Sequence, residues 1–213
     1  MASRIIHLAI TNELIKQLEF SDVDRLRLGT IIPDGTANRE EYLSSHFKMK
    51  IGNENERTYD LTRYRTLFGD AMKTDDFYLG YYLHLIQDLL YRHFVYDKYH
   101  WDPRPEGHLE RLYDDYRQIN AYLIRKYEMQ NDIHIPADFE TERINEIASF
   151  QTIHFMEDFK KDFEPIEYKE RFFFTDSMVD EYIQWAVQFC KKELVALMEG
   201  TYYFDEYEWS WGK

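Results

Sequence analysis

Apolar residues recur along this chain at helical spacing, and in one stretch they close almost the whole way round. From Asp75 to Asp97, DDFYLGYYLHLIQDLLYRHFVYD, the positions Phe77, Leu79, Leu83, Leu85, Ile86, Leu89, Leu90, Phe94 and Val95 leave no broad polar face. A helix with that pattern is buried on all sides, and Thr74 or Asp75 is placed to cap it. Within it His84 and Asp88 are separated by one helical turn, about 40° apart in projection, with Gly80, Gln87 and Tyr91 beside them. An isolated charge buried there costs several kcal/mol. A metal ion would compensate the pair, and so would a plain hydrogen bond between the two side chains.

The same periodicity predicts a first helix from Ser3, its cap, to about Leu18, with Ile6, Ile10, Leu14 and Leu18 on one stripe and His7 on that same stripe. A short apolar segment follows, LRLGTII, broken at Pro33-Asp34-Gly35, where proline fixes the backbone and glycine allows a sharp turn. Asp34 is thereby held at the lip of the core. Met49 to Thr74 reads as loop with one short helix, and YHWDPRPEGH as a proline-broken connection within one core. Further helices are predicted from about Glu106 to Tyr127, from about Thr141 to Phe163, and from Thr175 or Asp176 to a stop at Gly200. The aromatic, acidic tail TYYFDEYEWSWGK reads as a strap over the bundle or as a surface for a partner. The expected fold is all-α, a multi-helix bundle in a single domain over residues 1–213.

Composition narrows the function. The 213 residues carry a formal charge of -14, which repels nucleic acid and anionic lipid surfaces at long range. No strong nucleic-acid or membrane surface is expected. The lone cysteine, Cys190, lies in an apolar helical run, which leaves no intrachain disulfide and no zinc ribbon. No run approaches a membrane span and the opening residues have no signal-type apolar region, so the expectation is a cytoplasmic protein. Phosphate-binding glycine loops, HExxH and GxSxG are absent from the sequence.

What remains is a set of imidazoles and carboxylates. His7 lies on the first helix, Asp34 at the rigid turn, His46 in Ser44-Ser45-His46-Phe47, and His84 with Asp88 on the central helix. That donor mixture suits zinc or a similar divalent ion. Each member alone has an ordinary structural explanation, but the set asks for several coincidences at once. Candidates for an additional metal or substrate site are His108, Asp115 and Asn120 on the helix after Glu106, and His154 with Asp158, which repeat the one-turn spacing. His93 lies about 180° round the central helix from His84 and points away from it.

LGTIIPD, then SSHF, then YLGYYLHLIQDLLY resembles the zinc-dependent phospholipase C family, whose relatives include single-strand-specific nucleases. The resemblance covers about the first half of the chain, and the order of PD, SH and HxxxD is more specific than HxxxD alone. It implies a helical phospholipase C/nuclease fold with His7, Asp34, His46, His84 and Asp88 as metal ligands, and Asp34 as the residue that orients or deprotonates the attacking water. It implies one or two zinc ions. A third, which in secreted relatives uses the terminal amine exposed by signal removal, is not expected for a chain opening MASRIIH. The implied activity is metal-dependent hydrolysis of a small, anionic phosphate ester. Two other readings stay open: a nucleotide or nucleic-acid phosphodiesterase on the same site, and a non-catalytic helical protein with buried His-Asp pairs.

Overall fold

Polar caps start most of the helices in the computed structural model, which describes residues 2–52 and 55–212. Ser3 caps α1 (Arg4–Ile15), Asp22 caps α2 (Val23–Ile31) and Asn38 caps the short α3 (Arg39–Ser45), each with its side-chain oxygen accepting a backbone N–H of the first turn. Two three-residue strands, β1 (Lys48–Lys50) and β2 (Arg57–Tyr59), then pair antiparallel. Asp60 caps α4 (Leu61–Phe68), Asp75 caps α5 (Asp76–Arg92), and α6 (His108–Lys126), α7 (Thr152–Lys161) and α8 (Asp176–Met198) complete the bundle. The protein is mostly helical, with eight α-helices among the described residues.

The all-apolar helix is the axis of the fold. Along α5 nearly every residue is buried, and α1, α2, α4 and α8 pack around it. Two glycines set its closest approach. A Cβ on Gly29 of α2 would lie 2.0 Å from the Phe77 carbonyl oxygen, and one on Gly80 of α5 would lie 2.1 Å from that of Leu26. The two backbones therefore touch, which only residues without a side chain permit. Thr30 is thereby brought onto His84.

Several elements differ from the sequence expectation. The segment before Pro33 is a helix, α2, rather than an undefined apolar run. The first helix ends at Ile15, short of Leu18. The helix expected from about Thr141 begins only at Thr152; Phe139–Thr141 and Arg143–Glu146 are 3₁₀ turns. Its upstream part is held instead by long-range backbone pairing: Gln151 N–H donates to the Gly35 carbonyl, and Phe150 bridges Thr36. Past Arg92 the central helix widens into a π-helical stretch, His93–Lys98. The hairpin was illegible because three-residue strands are too short to show alternation.

The tail is a strap. Its Phe204 is buried, Trp211 bridges Arg57 at the edge of the hairpin, and buried Glu193 of α8 accepts the N–H groups of Tyr203 and Phe204. No helix among the described residues is long and apolar enough to cross a membrane.

Candidate metal centre

Four separate elements deliver the five singled-out residues to one place. His7 comes from the buried face of α1, Asp34 from the 3₁₀ turn Ile32–Asp34 after α2, His46 from the end of α3, and His84 and Asp88 from α5. His7, His46, His84 and Asp88 are fully buried, while the Asp34 side chain is 19% exposed. Gly35 keeps an ordinary φ of -83°, so its role is space: a Cβ there would sit 3.2 Å from Phe155 Cγ.

The hydrogen bonds fix how each imidazole presents itself. His84 Nδ1 lies 2.8 Å from the Thr30 carbonyl, which can only accept, so Nδ1 carries the proton and Nε2 is left with its lone pair. His46 Nδ1 lies 3.0 Å from the Tyr42 carbonyl, and Ser45 Oγ donates to the Pro33 carbonyl, so this Nδ1 is protonated too. His7 Nδ1–H donates to Gln87 Oε1 at 2.8 Å. All three rings thus turn an unprotonated Nε2 inward. His46 Nε2 and His84 Nε2 stand 3.1 Å apart, and buried His7 Nε2 has no hydrogen-bond partner. Backbone and amide acceptors behind the rings are the arrangement that orients metal-ligating histidines.

Two carboxylates share this space. His46 Nε2 is 3.4 Å from Asp34 Oδ1 and 3.8 Å from Asp88 Oδ2, and His7 Nε2 is 3.5 Å from Asp88 Oδ1. Asp88 accepts the Ala2 N–H and the Tyr59 hydroxyl as well. Burial works against ionising Asp88, yet the neighbouring His7 and His84 hold it well below the usual carboxylate range. Burial likewise opposes Asp34, and its contact with His46 prevails to hold it low. Burial and the adjacent His7 push His84 down to about 3.

Acceptors facing acceptors in a buried site repel one another unless a cation lies among them. Two nitrogens each about 2.0–2.1 Å from one zinc ion stand roughly 3.3 Å apart, close to the 3.1 Å between His46 and His84. Donor atoms fall into two overlapping groups, His7 with Asp34 and His84, and His46 with His84 and Asp88, each within 4.8 Å. His84 belongs to both, and its single free lone pair serves one ion at a time. A second ion would therefore have to share a carboxylate with the first.

The five other candidates are not brought together. Asp115 accepts the N–H groups of Phe172, Phe173 and Phe174, which ties the segment before α8 to α6. His108 stacks on Trp101 and bonds the Asp102 carbonyl; Asn120 lies between Ser3 and Asp162. His154 is exposed, and Asp158 pairs with Lys161 rather than with it. His93 donates to the Trp209 carbonyl and pairs with Asp97, away from the cluster. Cys190 is buried, its thiol pushed up by burial, and takes no part.

Sequence reasoning missed the residues that surround the five. Thr30 and Tyr42 act through their carbonyls, for which no side-chain signal exists. Gln87, noted beside His84 on the helix, is the partner of His7. A cavity of about 380 Å³ opens beside Asp34 and Ala2, with Arg39, Lys48 and Arg92 on its wall. Burial and the nearby Arg92 push the Lys48 ammonium down to about 8.

His84 gives the metal-free protein a pH dependence of definite sign. Unfolded histidine takes a proton near its ordinary 6.5, the folded one only near 3. The unfolded chain binds more protons between those values, so stability falls as pH drops through that window. Denaturant titrations of metal-depleted protein should lose a few kcal/mol between pH 6.5 and pH 4, and His84→Gln should flatten that slope.

No protein-family model, no curated protein and no solved structure matches this chain.

Proposed function

We propose that this chain is a metal-dependent hydrolase of phosphate esters, similar to the zinc-dependent phospholipase C family. One observation carries the reading: three inward Nε2 atoms and two carboxylates converge in a buried space, with two of the nitrogens 3.1 Å apart and the Nδ1 atoms behind them set against carbonyl acceptors. Imidazole and carboxylate donors favour zinc. His46, His84, Asp34 and Asp88 would hold the main ion, and Asp88, with His7, would share in a second.

A bound divalent ion supplies Lewis acidity, bringing the pKa of water toward neutrality and offsetting charge on phosphoryl oxygens. The protein's own groups do the rest. Asp34 is the one carboxylate of the set that reaches the cavity, which supports a role for its Oδ atoms in orienting the attacking water or taking its proton. Water oxygen then forms the new bond to phosphorus, the ester P–O bond breaks, and the leaving oxygen takes up, directly or through solvent water, the proton that the attacking water gave up. Asp88 accepts the Tyr59 hydroxyl and the Ala2 N–H, which favour its ionised form and hold its orientation. Thr30, Tyr42 and Gln87 fix the three rings so that no reorganisation is needed.

The zinc-loaded protein should hydrolyse bis(p-nitrophenyl) phosphate, and Asp88→Asn should lower kcat/KM by about a hundredfold or more. Hydrolysis retained in that variant contradicts the assignment, and no hydrolysis by the loaded wild type favours a non-catalytic site.

A further inference from the structure

The cavity beside Asp34 carries more positive charge than holding one phosphate ester in place requires. Arg39, Lys48 and Arg92 all line it, and among the described residues none of the three forms an ion pair. Acids are not scarce: carboxylate residues outnumber lysines and arginines 40 to 26. Cations left unpaired in such a chain, around one concave site, are an anion-binding arrangement.

The other groups point the same way. The hydroxyl of Tyr42 is buried and, among the described residues, without a hydrogen-bond partner, and Tyr42 lines the same cavity as Asp34 and Arg92. An unsatisfied buried hydroxyl costs free energy that a bound acceptor would relieve. Arg92 is held from behind, its guanidinium 4.4 Å from the Trp211 ring and its Nε directed to the Tyr59 hydroxyl. Lys48 also lies over Trp211, 5.7 Å from its centroid. The tail strap thus positions two of the three cations. To the same cavity α6 contributes Leu109, Leu112 and Tyr113, an apolar and aromatic part of the lining.

We infer that this cavity selects a small phosphorylated molecule carrying at least two negative charges together with a planar or apolar group, and discriminates against a zwitterionic, cation-bearing headgroup. The inference rests on the phosphate-ester reading of the adjoining centre. The phosphate charge meets Arg39, Lys48, Arg92 and the Tyr42 hydroxyl, and the apolar part lies on Leu109 and Tyr113. A quaternary ammonium would face three like charges there, and among the described residues Asp34 is the one carboxylate that lines the cavity.

The test uses three probes that share one ring and differ in charge: p-nitrophenyl phosphate, methyl p-nitrophenyl phosphate and p-nitrophenylphosphorylcholine, respectively dianionic, monoanionic and net neutral. Calorimetric titration of metal-depleted protein, its fold checked by circular dichroism, should rank them dianion, monoanion, zwitterion in falling affinity. Arg39 is exposed and its replacement leaves the core alone, so Arg39→Met should fold and should weaken the dianion roughly tenfold while leaving the zwitterion unchanged. If depletion unfolds the chain, KM values for the protein as purified give the same ranking. Equal affinities, a zwitterion that binds best, no binding at all, or an Arg39→Met variant that binds the dianion as tightly as wild type overturns the inference. A purified protein that holds no metal would defeat the hydrolase reading and leave this ranking intact, so the two failures can be told apart.

Discussion

Zinc added to metal-depleted protein at a hundredfold excess over its dissociation constant raises the unfolding temperature by about 5–10 °C, and the rise disappears in His84→Ala. The size follows from linkage: a ligand at that excess which binds only the folded state contributes about 2.7 kcal/mol, and in a chain of this length each kcal/mol moves the midpoint by about 2–4 °C. His84 is the right residue to remove because its Nε2 belongs to both donor groups: each loses a ligand, and a second ion on His7 would have only a carboxylate shared with the emptied first position. His108→Ala is the matched control. That imidazole stacks on Trp101 outside the cluster, and the zinc-dependent rise should persist undiminished. Differential scanning fluorimetry on the three proteins, with and without zinc, measures it. A rise that survives in His84→Ala would mean the ion binds elsewhere.

Gly80→Ala should lower stability by at least about 3 kcal/mol, at the upper end of what overpacking costs, and should abolish zinc stabilisation at the same time. The added Cβ would lie 2.1 Å from the Leu26 carbonyl oxygen and 3.1 Å from Thr30 N, and backbone cannot rotate away as a side chain can. The helices α2 and α5 must separate. Thr30 moves with α2, and its carbonyl is what holds His84 Nδ1–H, so the same displacement frees the ring to turn. Asp34 follows α2 directly. Chemical denaturation reads the first effect and zinc titration the second. A variant of near wild-type stability would show that the interhelical contact is looser than the geometry requires.

Much of the scaffold was legible because it is local. The capped, periodic helices α1, α5 and α8 each carry their own start signal and their own stripe, α6 carries its stripe alone, and the single apolar helix marks itself as the centre of the core. Four of the five inward residues carry local signals: His84 and Asp88 are a local pair, Asp34 lies at a local turn, and His7 interrupts an apolar stripe; His46, in a polar stretch, is singled out by the order of PD, SH and HxxxD in the resemblance. What was illegible acts through space. Gly29 and Gly80 look unremarkable until two backbones meet at them. The chain before Thr152 has helical spacing, but Gln151 N–H is claimed by the Gly35 carbonyl and Ser149 N–H by Glu41, and tertiary pairing overrides propensity. Arg39, Lys48 and Arg92 lie far apart in sequence among many other charges, and only the folded cavity brings them to one wall.

The candidates on α6 and α7 illustrate the converse. His154 and Asp158 repeat the spacing of His84 and Asp88, but α7 turns them toward solvent, where Lys161 satisfies the carboxylate. Asp115 is nearly as buried as Asp88, yet three backbone N–H groups already satisfy it, and a carboxylate so occupied has no need of an ion. Spacing proposes a site; the hydrogen bonds behind each ring and carboxylate decide which sets are left facing one another unsatisfied.

The most direct test is elemental analysis of protein purified without chelator. One or two equivalents of zinc or a similar divalent metal per chain, falling below a tenth of an equivalent in His84→Ala, is the result expected of five inward donors that face one another. Wild-type protein that contains no metal, and takes up none on dialysis against zinc, would contradict the account at its centre.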